Sequence, residues 1–227
     1  AAQPTEAPTQ HAQTTQAAPT EQPTPEPDLV QQLLEEMTLE QKVGQLFLVR
    51  PDSLDLSQTQ DQINDAKADG VTELTDAMRQ TLAEYPVGGV VIFGKNLESP
   101  QQITQFLDDL QQASDTPLFT AIDEEGGLVA RLANNAAFDL PQYESAAAVG
   151  TSGNPEDARA MGRTIGGYLK EYGFNLDFAP VADVNTNPDN PVIGTRAFSS
   201  EPQTAADLVG GACAGFADEG IACILKH

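Results

Sequence analysis

Tryptophan is absent from this 227-residue chain, and cysteine and histidine occur only twice each. Two cysteines, Cys213 and Cys223, are too few for a disulfide framework. One falls on a predicted helix and the other on a predicted strand, so they read as small buried thiols. Two histidines, His11 and His227, are too few for a His-based metal site, and no metal or cofactor is expected. Basic residues are scarce: 11 Lys and Arg stand against 34 Asp and Glu, a formal charge of -23. Such a chain lacks the cations needed to replace counterions on a nucleic-acid backbone. The same shortage argues against an anchor on anionic lipid, and the charge reads as solubility. No apolar run is long enough to cross a bilayer, so no transmembrane segment is expected. No signal-peptide core is visible either, and one already removed would leave the same sequence. No GxGxxG turn follows a strand directly and no GK[ST] sequence occurs, which disfavours dinucleotide and phosphate-cradling sites.

What the chain does contain starts with a Pro/Thr/Gln/Ala segment over residues 1–27. It has almost nothing to bury and is expected to be a disordered linker ahead of a folded region spanning 28–227. A spacer of this kind suggests a secreted or surface-tethered protein, while leaving a cytoplasmic one open. Asp28 can cap a helix with Leu29, Leu33, Leu34 and Met37 on one face, and Thr38 with Gln41 has capping-box spacing. Residues 46–49 form the first strand candidate. Residues 51–84 are polar and helix-favouring, with an early part expected to be a surface loop. A β-branched run at 87–94, Leu118–Ile122, a region at 174–181 and Ile221–Leu225 give four more strands. Ser99-Pro100, Asn154-Pro155 and Ser200-Glu201-Pro202 each open a helix between them. Alternating strands and helices point to right-handed βαβ units around a parallel sheet. Both an open doubly wound sheet and a (β/α)8 barrel satisfy that pattern.

Several strands close on polar residues. The third is followed by Asp123, Glu124 and Glu125, then Gly126-Gly127 and Arg131. The fourth leads to Asp183, Asn185 and Arg196, and the fifth to Lys226 and His227. Each of these alone has a bland reading as a cap, a surface cation or a solvated chain end. Together they converge on the C-terminal ends of parallel strands, where α/β folds place their sites. Glu124 and Asp189 read as structural or solvated. Carboxylates accept from hydroxyls, while Lys and Arg donate to them, so the cluster suits a polyhydroxylated ligand. Asp123 and Glu125 are two apart on an extended strand and share one wall. They are therefore not the pair that would flank a glycosidic bond.

The segments KVGQLFLV, YPVGGVVIFGKN, AIDEEGGLVARL, GFNLDFAPVADVNTNPDNPVIGTRAFSSEP and IACILKH, in this order over about residues 29–227, resemble glycoside hydrolase family 3, β-N-acetylglucosaminidase branch. The resemblance implies a (β/α)8 TIM-type barrel of which about five of eight βα units are present. It implies retaining hydrolysis of terminal β-linked N-acetylglucosamine, with cell-wall glycans as substrate. It also implies that Asp123, Arg131, Arg196, Lys226 and His227 match the family's sugar-binding positions. Glu124 departs from the family's common Gln, and Leu128 from its common Arg. The family's catalytic His and Asp nucleophile lie on segments after the Lys-His pair, so no catalytic residue is expected among these 227 and they should be inactive alone. A β-glucosidase of the same family and a non-catalytic carbohydrate-binding module are the alternatives.

Overall fold

The computed structural model describes residues 29–227. The 1–27 linker, His11 and the Asp28 cap lie outside the described residues. The described residues fall into two units, 29–36 and 37–227. In the first, α1 (Leu29–Glu36) has an apolar stripe, yet none of its residues is buried.

The second unit begins with α2 (Leu39–Gly44), opened by Thr38 and Gln41 in a reciprocal capping box. Strands β1 (Leu48–Val49), β2 (Gly89–Ile92), β3 (Phe119–Ile122), β6 (Leu176–Asp177) and β7 (Ala222–Cys223) form one sheet, ordered β1-β2-β3-β6-β7 and parallel throughout. Helices α3 (Gln60–Asn64) and α4 (Asp76–Glu84) connect β1 to β2, and α5 (Pro100–Ala113) connects β2 to β3. Helices α6 (Ala146–Gly150) and α7 (Pro155–Glu171) precede β6, and α8 (Pro202–Glu219) precedes β7. This succession of βα units is the barrel pattern, with β1 and β7 as open edges. Apolar side chains stay exposed beside those edges: Leu46 and Phe47 at β1, Ile224 and Leu225 at β7.

The central strands are buried because helices cover them. Val90, Ile92, Ala121 and Ile122 are fully buried, and Val90, Ile92 and Ile122 pack in one core with Ile103, Phe106, Leu107 and Leu110 of α5 and Ile165 and Leu169 of α7. Ser99 and Asn154 cap α5 and α7 as their sequences predict, accepting from the amides of Gln102 and Glu156. The first and last strands are shorter than the apolar runs that announce them. In the Leu46–Val49 run only Leu48 and Val49 enter the ladder, because the edge has just β2 to pair with.

Two features depart from the expected outline. The polar stretch after β1 is not simply a surface loop. Pro51, Asp52 and Leu54 are buried in a 3-10 turn. Asp52 is fully buried, 3.1 Å from Lys95 Nζ, and accepts from the Asn96 side-chain amide at 3.0 Å. Lys95 Nζ also donates to the Gln62 and Ile63 carbonyls, and Arg50 Nη1 to that of Ile63, which straps the end of α3 to the mouth of the sheet. The second feature is an antiparallel hairpin, β4 (Glu124–Gly126) and β5 (Val129–Ala130), directly after β3. Gly126 and Gly127 turn it with φ of +81° and +69°. A Cβ at Gly127 would lie 2.8 Å from the Glu144 carbonyl oxygen, so the turn needs glycine for both space and conformation.

Candidate functional site

The hairpin is held by one side chain. Glu124 is fully buried, and its carboxylate accepts from the amides of Leu132 at 2.8 Å and Ala133 at 2.9 Å, and from the Tyr168 hydroxyl at 2.9 Å. Burial pushes its carboxyl above the usual range, against the pull of those donors. The Glu124 amide in turn donates to Oδ1 of Asp177 at 2.9 Å. Glu124 is therefore structural, and it fixes where Asp123, Glu125 and Arg131 emerge.

Those residues meet groups from the far strands. Lys226 Nζ sits 2.6 Å from Asp123 Oδ1 and 2.5 Å from Glu125 Oε1, bridging two carboxylates on one wall. Lys226 is brought there by a parallel bridge to Val181, with the Ala182 amide donating to its carbonyl at 2.7 Å. Arg196, on a 3-10 turn at Gly194–Arg196, grips Glu125 with two parallel hydrogen bonds, Nε to Oε2 and Nη2 to Oε1, each 2.8 Å. The Glu125 carboxylate raises the Arg196 pKa further, with Asp183 and Asp123 adding to the effect. Arg131 Nη2 reaches Asp123 Oδ2 at 3.5 Å, and its guanidinium lies 5.9 Å from the centre of the Phe93 ring. Arg50 stacks on the same ring at 4.4 Å. His227 places Nδ1 at 2.8 Å and its backbone amide at 3.2 Å from Asp183 Oδ2, while Nε2 faces Arg196 Nη2 at 3.3 Å.

The structure thus brings Asp123, Arg131, Arg196, Lys226 and His227 into one cluster, joined by Glu125 and Asp183. Asn185 helps close its own loop, its amide donating to the Ser199 carbonyl at 3.1 Å, and Asp189 lies exposed nearby. Five of the 11 cations, Arg50, Lys95, Arg131, Arg196 and Lys226, gather at these strand ends and their flanking loops. Among the described residues, no group of three or more His, Cys, Asp or Glu side chains is placed to hold a metal ion. Two surface grooves lie elsewhere among the described residues, one of about 630 Å³ between α5 and α7 and one of about 560 Å³ beside α2 and β1. Their linings carry none of the clustered charges, so chemistry rather than cavity size marks the strand ends as the candidate site. Cys213 and Cys223 are half-buried and are not among the clustered side chains, and burial with the neighbouring Cys223 pushes the Cys213 thiol up to about 12.

Sequence reasoning passed over one group at this level, Asp177. It is fully buried beneath the cluster, with Oδ2 lacking any partner. Burial holds its carboxyl well above the usual range, with Glu124 and Asp123 adding and Lys226 opposing. A carboxyl whose folded pKa is raised contributes stability at low pH and loses it as pH rises through the folded value. Asn mimics the protonated acid and does not titrate. In urea unfolding, the stability of the Asp177→Asn protein relative to the native chain should rise as pH is raised above about 4, where the unfolded carboxyl begins to ionise. A gap that stays constant with pH would contradict this. The only sequence signal for Asp177 was a lone acid inside an otherwise apolar strand.

The model of the glycosyl hydrolase family 3 N-terminal domain matches residues 38–227 of this chain. A β-hexosaminidase A from Pseudoalteromonas piscicida is 35% identical over 162 residues, covering 69% of this chain and 27% of that protein. Among solved structures, a family 3 β-N-acetylglucosaminidase from Paenibacillus sp. FPU-7 aligns with a TM-score of 0.71 at 34% identity, over 84% of this chain and 33% of that one. NagZ from Neisseria gonorrhoeae, solved with N-trifluoroacetyl-D-glucosamine, aligns with a TM-score of 0.63 at 26% identity, over 69% of this chain and 46% of that one. The chain therefore spans between about a quarter and a half of the length of these relatives.

Proposed function

The chain belongs to glycosyl hydrolase family 3, and from that premise we propose that it supplies the sugar-binding wall of a retaining β-N-acetylglucosaminidase. The observation that carries this reading is Lys226 bridging Asp123 and Glu125, with Arg131 and Arg196 closing the carboxylates from outside. Five charged groups fixed by one another form a rigid array of donors and acceptors. Such an array matches the hydroxyls of a pyranose ring at little further cost in side-chain freedom. Asp123 accepts from a ring hydroxyl, Lys226 and His227 hold hydroxyls from the opposite strand, and Arg131 and Arg196 orient the carboxylates and reach the ligand. The names of the relatives support N-acetylglucosamine as the sugar. Cell-wall glycans as substrate, and an exported or surface-tethered location, follow from the family resemblance and the composition of residues 1–27.

Retaining hydrolysis needs a proton donor and a nucleophile on opposite sides of the bond, with the carboxyl pair about 5–5.5 Å apart in the usual case. Asp123 and Glu125 share a wall and a lysine, so they bind rather than cleave. The 227 residues alone should bind N-acetylglucosamine in preference to glucose and should release no chromophore from a nitrophenyl N-acetylglucosaminide, while the complete parent protein does. Steady release by the purified 227-residue chain would refute this division of labour.

A further inference from the structure

Asp183 lies outside the set of residues assigned to the sugar, yet it determines what one of them can do. Its Oδ2 receives two hydrogen bonds from the same residue, the backbone amide of His227 at 3.2 Å and the ring Nδ1 at 2.8 Å. The other ring nitrogen, Nε2, stands 3.3 Å from Arg196 Nη2. An ionised carboxylate can only accept and a guanidinium can only donate. Nδ1 must then carry the proton, and Nε2 must present its lone pair. The two partners leave the neutral ring no choice of tautomer.

We propose that Asp183 is a positioning residue that locks His227 in the Nδ1–H form, so that Nε2 accepts from Arg196 and helps hold that guanidinium against Glu125. This sorts the mouth into alternating roles. Lys226 donates to Asp123 and Glu125, and Arg196 donates to Glu125 and faces the Nε2 of His227. A neutral His in water favours the opposite tautomer, with the proton on Nε2. Without Asp183 the ring would turn an N–H toward the Arg196 N–H groups, donor against donor. Arg196 is held to Glu125 by two bonds and cannot easily move away.

The tautomer is independent of any ligand, while its consequence for a sugar rests on the function proposed above. The chain has only two histidines, so a His11→Gln background leaves one imidazole to observe by nitrogen NMR in the intact chain. His227 is expected to show a protonated Nδ1 and a bare Nε2. Asp183→Ala should move the proton to Nε2 and weaken N-acetylglucosamine binding about tenfold, the loss of roughly one well-placed hydrogen bond. Asp183→Asn keeps an oxygen that can accept both N–H groups and should preserve the native signal. A protonated Nε2 in the native chain overturns the proposal, and so does an unchanged tautomer in a folded Asp183→Ala protein. If the native tautomer is as stated but the sugar does not bind at all, the functional reading fails while the role of Asp183 stands.

Discussion

Asp123→Ala is expected to lower affinity for N-acetylglucosamine by about 100-fold, the combined loss of about two hydrogen bonds to a charged group at about 1.5 kcal/mol each. Asp123 is the acceptor that both walls address, with Lys226 just after β7 at 2.6 Å and Arg131 just after the hairpin at 3.5 Å. Its side chain is still about one-fifth exposed, so lone pairs remain for a ligand. Removing it takes away the acceptor and also leaves Arg131 without its carboxylate. The fold should tolerate the change, because Lys226 keeps Glu125. Calorimetric titration of both proteins tests this, and equal affinities would remove Asp123 from the site.

Glu125→Ala should act on stability instead. The Glu125 side chain is 3% exposed, and Arg196 and Lys226 beside it are 12% and 15% exposed. Stripping the buried carboxylate leaves Arg196 without its carboxylate partner and Lys226 with Asp123 alone, in a poorly solvated place, at a cost of about 3–5 kcal/mol. For a domain of this size that lowers the melting temperature by about 6–20 °C. Glu125→Gln keeps the acceptor oxygen without the charge and should fall between the two. A melting curve for Glu125→Ala that overlays the native one would mean the cations are better solvated than the geometry indicates.

Much of the scaffold could be read before any coordinates. Thr38, Ser99 and Asn154 announced their helices because a cap is a local interaction, complete within four residues. The strands at Gly89–Ile92 and Phe119–Ile122 were legible because both their faces are buried, which forces continuous apolar runs. The hairpin after β3 was not legible. Its two strands are too short to show a period, and it is held by Glu124 reaching amides eight and nine positions away. The partnerships of the site were hidden for a related reason. Residue types at strand ends pointed to Asp123 and Lys226, but the contact between them joins positions 103 apart. Asp52 and Asp177 were missed because a buried acid looks in sequence like any surface acid, until its partners are known.

The gathering of cations at the strand ends has an effect beyond the contacts themselves. In a chain of net charge -23, with five of its 11 cations gathered at the strand ends, only six cations are left elsewhere among the many acidic residues, so the rest of the chain is strongly negative on balance. An approaching anion is repelled over roughly a Debye length, about 8 Å at physiological salt, before it can feel those cations. A neutral saccharide crosses the same zone unopposed. The protein therefore screens its visitors at a distance, and for acidic glycans that screening would ease as salt is added.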